Sequence, residues 1–237
     1  MTALLGELAV RRTAGLDESF ARRCAEALGV DGLAVSVSGG SASVSEPVWL
    51  SDPVSAALED LQFTLGEGPA LDVRASGALL LDGDLELVPR ERWPGFLPAA
   101  ADLGVRAVFA LPLQIGAILL GALTLHRATP GSLSPLQLRD ALVLGDTLTL
   151  TLLDGSQTAP GEELPVAGLY RAEVHQATGM IAVRLGVPPA AALVRLRAHA
   201  YSRDKPILEV ARDVVARRLV FTPSGAVRDG DGQDTAR

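Results

Sequence analysis

The sequence predicts an α+β fold, an antiparallel sheet flanked by helices, followed by a small all-α unit of three helices. Three observations carry this. Gly32 to Ser45 alternates apolar and small polar residues around Gly39-Gly40, and Ala107 to Leu125 is a charge-free run interrupted by Pro112, Gln114 and Ile115-Gly116. Both are patterns of strand hairpins. Helical periodicity resumes after a Pro- and Gly-containing break at 154–165, which reads as a hinge. Charge changes sign across that break: residues 1–165 carry 10 basic and 21 acidic groups, residues 166–221 carry 9 and 4. Two units with different partners follow, the second partner being polyanionic; a solvated basic helix face is the other reading of the same charges.

The elements come in order. Ala3 to Arg12 and Asp17 to Leu28 read as helices, the second capped by Asp17 and ended by Gly29. Cys24 is the single cysteine, so no internal disulfide forms, and its place in a helical run makes it a buried small residue rather than a nucleophile. The N-terminus lacks the basic n-region and long apolar run of a signal peptide, and a cytoplasmic location is expected. After Asp52-Pro53, Ala57, Leu58, Leu61 and Phe63 recur at helical spacing and are expected to face the sheet. Leu65 to Val73 holds Gly66, Gly68 and Pro69 and reads as a loop with an enforced path rather than a helix. It lacks the Lys and Ser/Thr of a phosphate cradle, and Glu67 would repel a phosphate.

A short apolar strand follows at A-L-L-L-D, then an aromatic-anchored turn and short helix between Trp93 and Gly104. Val105 to Leu113 and Ala117 to His126 form the apolar hairpin; its length also suits a membrane span, but the interruptions favour two buried strands. A long helix runs from Ser134-Pro135 to about Leu153. The first unit is thus 1–153, the helical unit 166–221, and 222–237 a disordered tail. Phe63, Trp93, Phe96 and Phe109, with Gly66, Glu67, Gly68, Pro69 and Leu71, are the residues available to line a pocket in the first unit. None identifies a ligand, and an empty scaffold is an equal reading.

In the second unit, Tyr170, Val174, Ala177, Ile181 and Leu185 share one helical face, Ala192 or Leu193 with Leu196 and Ala200 a second, and Ile207, Val210, Ala211, Val214, Val215 and Leu219 a third. Three such faces close a core too small to be very stable alone, so support from a dimer or the first unit is expected. Off them lie Arg184, Arg195, Arg197, Arg203, Lys205, Arg212, Arg217 and Arg218. Arginine content alone carries no argument, because a GC-rich genome gives the same bias; placement does. Guanidinium planes contact phosphates and stack on splayed RNA bases. Gly179 in mid-helix costs about 1 kcal/mol relative to Ala, so it needs a reason. Close helix packing and close approach of an RNA backbone both supply one, and Ala177 admits the same two readings.

The segments L-Q-F-T-L-G-E-G-P-A-L-D-V, W-P-G-F, G-V-R-A-V-F-A-L-P-L and G-A-I-L-L-G-A-L-T-L make residues 17–153 resemble a GAF domain of the kind found in actinobacterial signalling proteins. Q-A-T-G-M-I, A-L-V-R-L-R-A-H-A and P-I-L-E-V-A-R-D-V-V make residues 166–221 resemble an ANTAR domain, the RNA-binding output module of transcription antitermination regulators. The resemblance implies a homodimer that holds paired stem-loops in nascent RNA so that a terminator does not form. The helices from Ser134 and Val166 are the candidate interfaces. Ala177, Gly179, Arg184, Arg195, Arg197, Arg203 and Lys205 are the residues set against RNA, and alanine at Arg197 or Arg203 is expected to weaken binding.

Two positions depart from the family pattern. Ala70 stands where many relatives have cysteine, which removes a thiol sensor there, and Leu193 stands where an aromatic is usual. If that aromatic stacks on RNA the site is altered; if it is core, Leu is a near-equivalent. No enzyme, cofactor or metal is expected: His126, His175 and His199 have no partners at ligand spacing, and no G-x-S-x-G occurs. Two other functions stand beside antitermination. One is a helix-turn-helix regulator of duplex DNA; the other is a small-molecule enzyme or binding protein whose C-terminal helices only dimerise.

Overall fold

The computed structural model describes residues 2–11, 17–39, 44–156, 171–203, 205–222 and 227–229. The chain divides into two compact units, Met1–Ala167 and Gly168–Arg237. The first contains α1 (Thr2–Arg11), α2 (Glu18–Leu28), β1 (Gly32–Gly39), β2 (Val44–Leu50), α3 (Pro53–Leu65), α4 (Pro69–Ser76) and β3 (Leu80–Asp82). α5 (Phe96–Asp102), β4 (Ala107–Ile115), β5 (Ile118–Arg127) and α6 (Pro135–Ser156) complete it. The five strands form one sheet in the order β2-β1-β5-β4-β3, every pair antiparallel.

Strand alternation gives the sheet two unlike faces. Leu33, Val35, Val37, Phe109, Leu111, Leu113, Leu123 and Leu125 face one side and pack with Phe20, Leu28, Leu144 and Leu148 from α2 and α6. Asp17 caps α2 through the Phe20 N–H, and its carbonyl accepts the Trp49 indole N–H at 2.9 Å, which ties β2 to the helix start. The intervening residues, among them Gly32, Ala34, Ser36, Val108, Ala110, Ala122, Thr124 and His126, are smaller or polar and face α3, α4 and α5. The stretch that matched a membrane span in length is β4 and β5, joined at Gly116 in the left-handed region (φ 57°). Among the described residues no single helix is long and apolar enough to cross a membrane.

Two elements differ from the sequence reading. α3 buries Ser55, Leu58, Glu59, Gln62 and Phe63, whereas Ala57 and Leu61 are only partly buried. Its sheet-facing stripe is polar because the strands beneath present hydroxyls and an imidazole. Second, the loop expected at Leu65–Val73 is confined to Gly66–Gly68, and Pro69 opens the helix α4. Proline at the first helical position gives up an N–H that would have no partner there, and Asp72 sits favourably in the first turn.

The second unit contains α7 (Ala172–Leu185), α8 (Pro189–Ser202), α9 (Ile207–Val215), β6 (Leu219–Phe221) and β7 (Val227–Asp229). Val174, Ala177, Ile181, Ala192, Leu193, Leu196, Ala200, Ile207, Val210, Ala211 and Val214 are buried together, as the three faces predict. Gly186 (φ 63°) ends α7 in the left-handed region. Within the stretch read as a tail, 227–229 is a strand paired with β6. Tyr170, and the hinge from 157 onward, lie outside the described residues.

Candidate nucleic-acid interface

The basic residues of the second unit separate by what holds them. Arg212 reaches Glu173 at 3.5 Å, Arg218 reaches Asp213 at 2.7 Å and Lys205 reaches Glu209 at 2.6 Å, a contact that raises the lysine pKa. Arg171 is buried, and Arg197 is partly buried beside it. Burial, with the neighbouring Arg171 charge, lowers the Arg197 pKa to about 10. Arg197 is therefore corrected from a free surface cation to one partly enclosed in the unit. Arg203 is exposed at the end of α8.

Arg184, Arg195 and Arg217 are exposed and have no acidic partner among the described residues. Arg184 and Arg217 share a groove of about 640 Å³ between α7 and β6, whose apolar lining includes Ile181, Val183, Val214 and Phe221. Val183 is 86% exposed there. Arg217 holds a left-handed backbone (φ 60°), uncommon for a residue with a side chain. Gly179 also lines the groove, and a Cβ placed on it meets nothing within 4 Å. Helix packing among the described residues thus gives no reason for glycine at this position.

Two positions left open between core and RNA are core. Ala177 is fully buried, so the RNA reading of that residue is withdrawn: it faces the other helices, two residues from Gly179 on the opposite side of α7. Leu193 is buried, so the aromatic it replaces would occupy core here. His175 is exposed, while His199 packs edge-on against Phe221 at 5.6 Å. The sequence reading passed over Arg217 as one of many off-face arginines. Only its pairing state and the strand that follows single it out.

The residues proposed for a pocket in the first unit fall into three sets. Glu67 accepts the Gly95 and Phe96 N–H groups at 2.6 and 2.7 Å, holding the start of α5, and Gln62 accepts the Ala70 N–H at 2.7 Å. Gly68 (φ 131°) lies where a Cβ would be 2.6 Å from Gln62, and Gly66 caps α3 in the left-handed region. This turn is wiring between helices, with Pro69 buried and Leu71 partly so. Trp93 and Phe96, the latter at the start of α5, pack edge-on at 5.6 Å in one core cluster, and both are buried; Phe63 is buried on α3. Phe109 is on the opposite face of the sheet, so it cannot line a space with Trp93.

A polar seam runs under α3. The Asp52 carboxylate caps the helix through the Val54 and Ser55 N–H groups and accepts the Ser51 and Ser55 hydroxyls, with His126 Nε2 at 3.5 Å. Burial pushes its pKa up, but the hydrogen bonds from His126, Ser51 and Ser55 prevail and hold it well below the usual carboxylate range. A Cβ at Gly32 would lie 2.0 Å from this carboxylate, so the network requires glycine. Farther along, Glu59 accepts from Gln62 at 3.2 Å and Thr124 at 3.4 Å. Ser55 and Asp52 meet the same imidazole nitrogen in a buried place, which is helix capping rather than the relay of a nucleophile.

Fold and charge together define a sheet domain with a polar seam under α3, joined to a helical unit with exposed arginines that have no acidic partner among the described residues. The sequence profile of the ANTAR domain matches residues 163–215. The first unit is similar to the GAF domain of an Acinetobacter phosphoenolpyruvate-protein phosphotransferase, at 12% identity over 68% of this chain and 97% of that one, with a TM-score of 0.51. The GAF domain of the Coxiella burnetii phosphoenolpyruvate-protein phosphotransferase gives 14% identity, 65% and 94% coverage and a TM-score of 0.48. No curated protein sequence matches the chain. The architecture is a GAF-like domain followed by an ANTAR domain.

Proposed function

We propose that this protein is an RNA-binding regulator of transcription antitermination, in which a GAF-like domain dimerises and controls an ANTAR domain that holds stem-loops of nascent RNA. It acts in the cytoplasm and carries no catalysis of its own. The observation that carries this is the groove of Gly179, Arg184 and Arg217: a largely apolar slot lined by two arginines that have no acidic partner among the described residues. An unpaired base fits the slot by its ring face while the adjacent phosphates reach the arginines. A duplex offers no such base. The two arginines of the groove also lie at the end of α7 and beyond α9, not at the start of a helix that would enter a major groove.

The test is a mobility-shift titration of the full chain against a paired stem-loop RNA and against duplex DNA of the same sequence. The Arg184→Ala/Arg217→Ala double variant is expected to bind the RNA about a hundredfold more weakly, from two lost charge-assisted contacts. The slope of log K against log salt should fall by about 1.4. Unchanged RNA affinity in the double variant, or equal affinity for duplex DNA, overturns the reading.

A further inference from the structure

α6 is 22 residues long and buries only one side. Ala141, Leu144, Leu148 and Leu152 pack into the sheet domain. Directly opposite, Leu136, Val143 and Leu150 are 57%, 40% and 60% exposed and recur every seven residues, with Leu142 exposed on the flank. Apolar side chains at that interval form a seam suited to a second helix. Between them on the same stripe are Arg139 and Asp146, both exposed. Arg139 touches its neighbour Asp140 at 2.9 Å, and Asp146 has no basic partner among the described residues.

The order of charges selects the occupant and its direction. We infer that α6 pairs with α6 of a second copy of this chain in antiparallel orientation, crossing near Val143; this rests on the homodimer of the proposed function. The stripe is symmetric about Val143 in apolar positions and antisymmetric in charge. An antiparallel pair sets Leu136 against Leu150 of the partner subunit and Arg139 against Asp146 of the partner subunit, each contact occurring twice. A parallel pair sets arginine against arginine and aspartate against aspartate, which is unfavourable in both layers. With a rise of 1.5 Å per residue, the antiparallel pair places the two Ser156 ends about 40 Å apart. The two copies of the chain then leave the seam at opposite ends.

The test uses the full chain. Arg139→Asp and Asp146→Arg are each expected to weaken self-association about tenfold, measured by light scattering across concentration, and the double reversal to restore it. Cysteine cross-linking reads direction, since native Cys24 is buried. Leu136→Cys alone should give no disulfide dimer, whereas an equal mixture of Leu136→Cys and Leu150→Cys chains should give the mixed one. A Leu136→Cys self-dimer, or no rescue by the double reversal, overturns the antiparallel pairing while leaving the homodimer standing. A wild-type monomer overturns both. Mobility shifts on the same variants separate any failure of the RNA reading from either result.

Discussion

The two units differ in how they hold their arginines. In the GAF-like domain, Arg22, Arg23, Arg92, Arg106 and Arg139 each meet a carboxylate of the same unit, Glu67 holds the start of α5, and Asp52 gathers two hydroxyls and an imidazole over Gly32. In the ANTAR domain Arg184, Arg195 and Arg217 are exposed with no acidic partner among the described residues, and Gly179 opens on space. Polar groups satisfied inside a fold stabilise and orient it. Groups left open cost nothing until a partner of opposite charge arrives. The contrast is between arginines held by carboxylates of their own fold and the three arginines of the helical unit that are open to a partner.

The internal side breaks most severely at Asp52. Asp52→Ala removes a helix cap and leaves Ser51, Ser55 and His126 buried without their acceptor, a loss of about 3 kcal/mol. Both tryptophans, Trp49 and Trp93, belong to this domain, so denaturation followed by tryptophan fluorescence reports it selectively. The pH dependence has a definite sign. The folded pKa of Asp52 is depressed below 3.8, so its contribution is complete at neutral pH and is lost as pH falls below about 4 toward the folded value. Asp52→Asn should flatten that acid limb. A limb unchanged in Asp52→Asn would show that the network is not where acid acts.

How far the sequence could be read follows the same division. α9 was legible as far as Val214, because Ile207, Val210, Ala211 and Val214 form an apolar stripe over an apolar core, whereas Leu219, read on the same helical face, belongs to β6. α3 was not, because its buried stripe is Ser55, Glu59 and Gln62, and no periodicity of apolar residues marks a polar seam. α4 was hidden by the glycines before it, whose turn chemistry extends the loop signal one helix too far. In the interface, Ala177 and Gly179 stand two residues apart, as do Arg195 and Arg197, and such spacing sends neighbours to opposite sides of a helix. Composition groups them; only packing separates the buried alanine and the partly enclosed arginine from the open glycine and arginine. The Leu136–Val143–Leu150 stripe was legible as spacing, but its exposure depends on which face the sheet takes.

The open side is sharpened by Gly179→Ala, which should move stability and binding in opposite directions. Alanine is the better helix former by about 1 kcal/mol, and its methyl group meets nothing in the unit. The variant should therefore unfold at higher temperature by circular dichroism. If the RNA backbone or a base passes close to α7 at this point, the same methyl group weakens binding. Higher stability with unchanged RNA affinity would remove Gly179 from the interface and leave the groove to its arginines.

The smallest effect is expected where the contrast is most literal, at an arginine already satisfied. Arg92 meets Asp72 at 3.1 Å and Asp82 at 3.3 Å and lies 4.5 Å over the Trp93 ring, yet its side chain is 39% exposed. Solvent screens such pairs, so Arg92→Ala should cost less than about 1 kcal/mol and leave RNA affinity and its salt slope unchanged. Arg92 and Arg217 are the same residue type on one chain. If removing Arg92 lowers RNA affinity as removing Arg217 does, cations on the sheet domain take part in binding and the division of labour between the units fails. If only Arg217 matters, pairing state rather than residue type or net charge decides which arginines serve the partner.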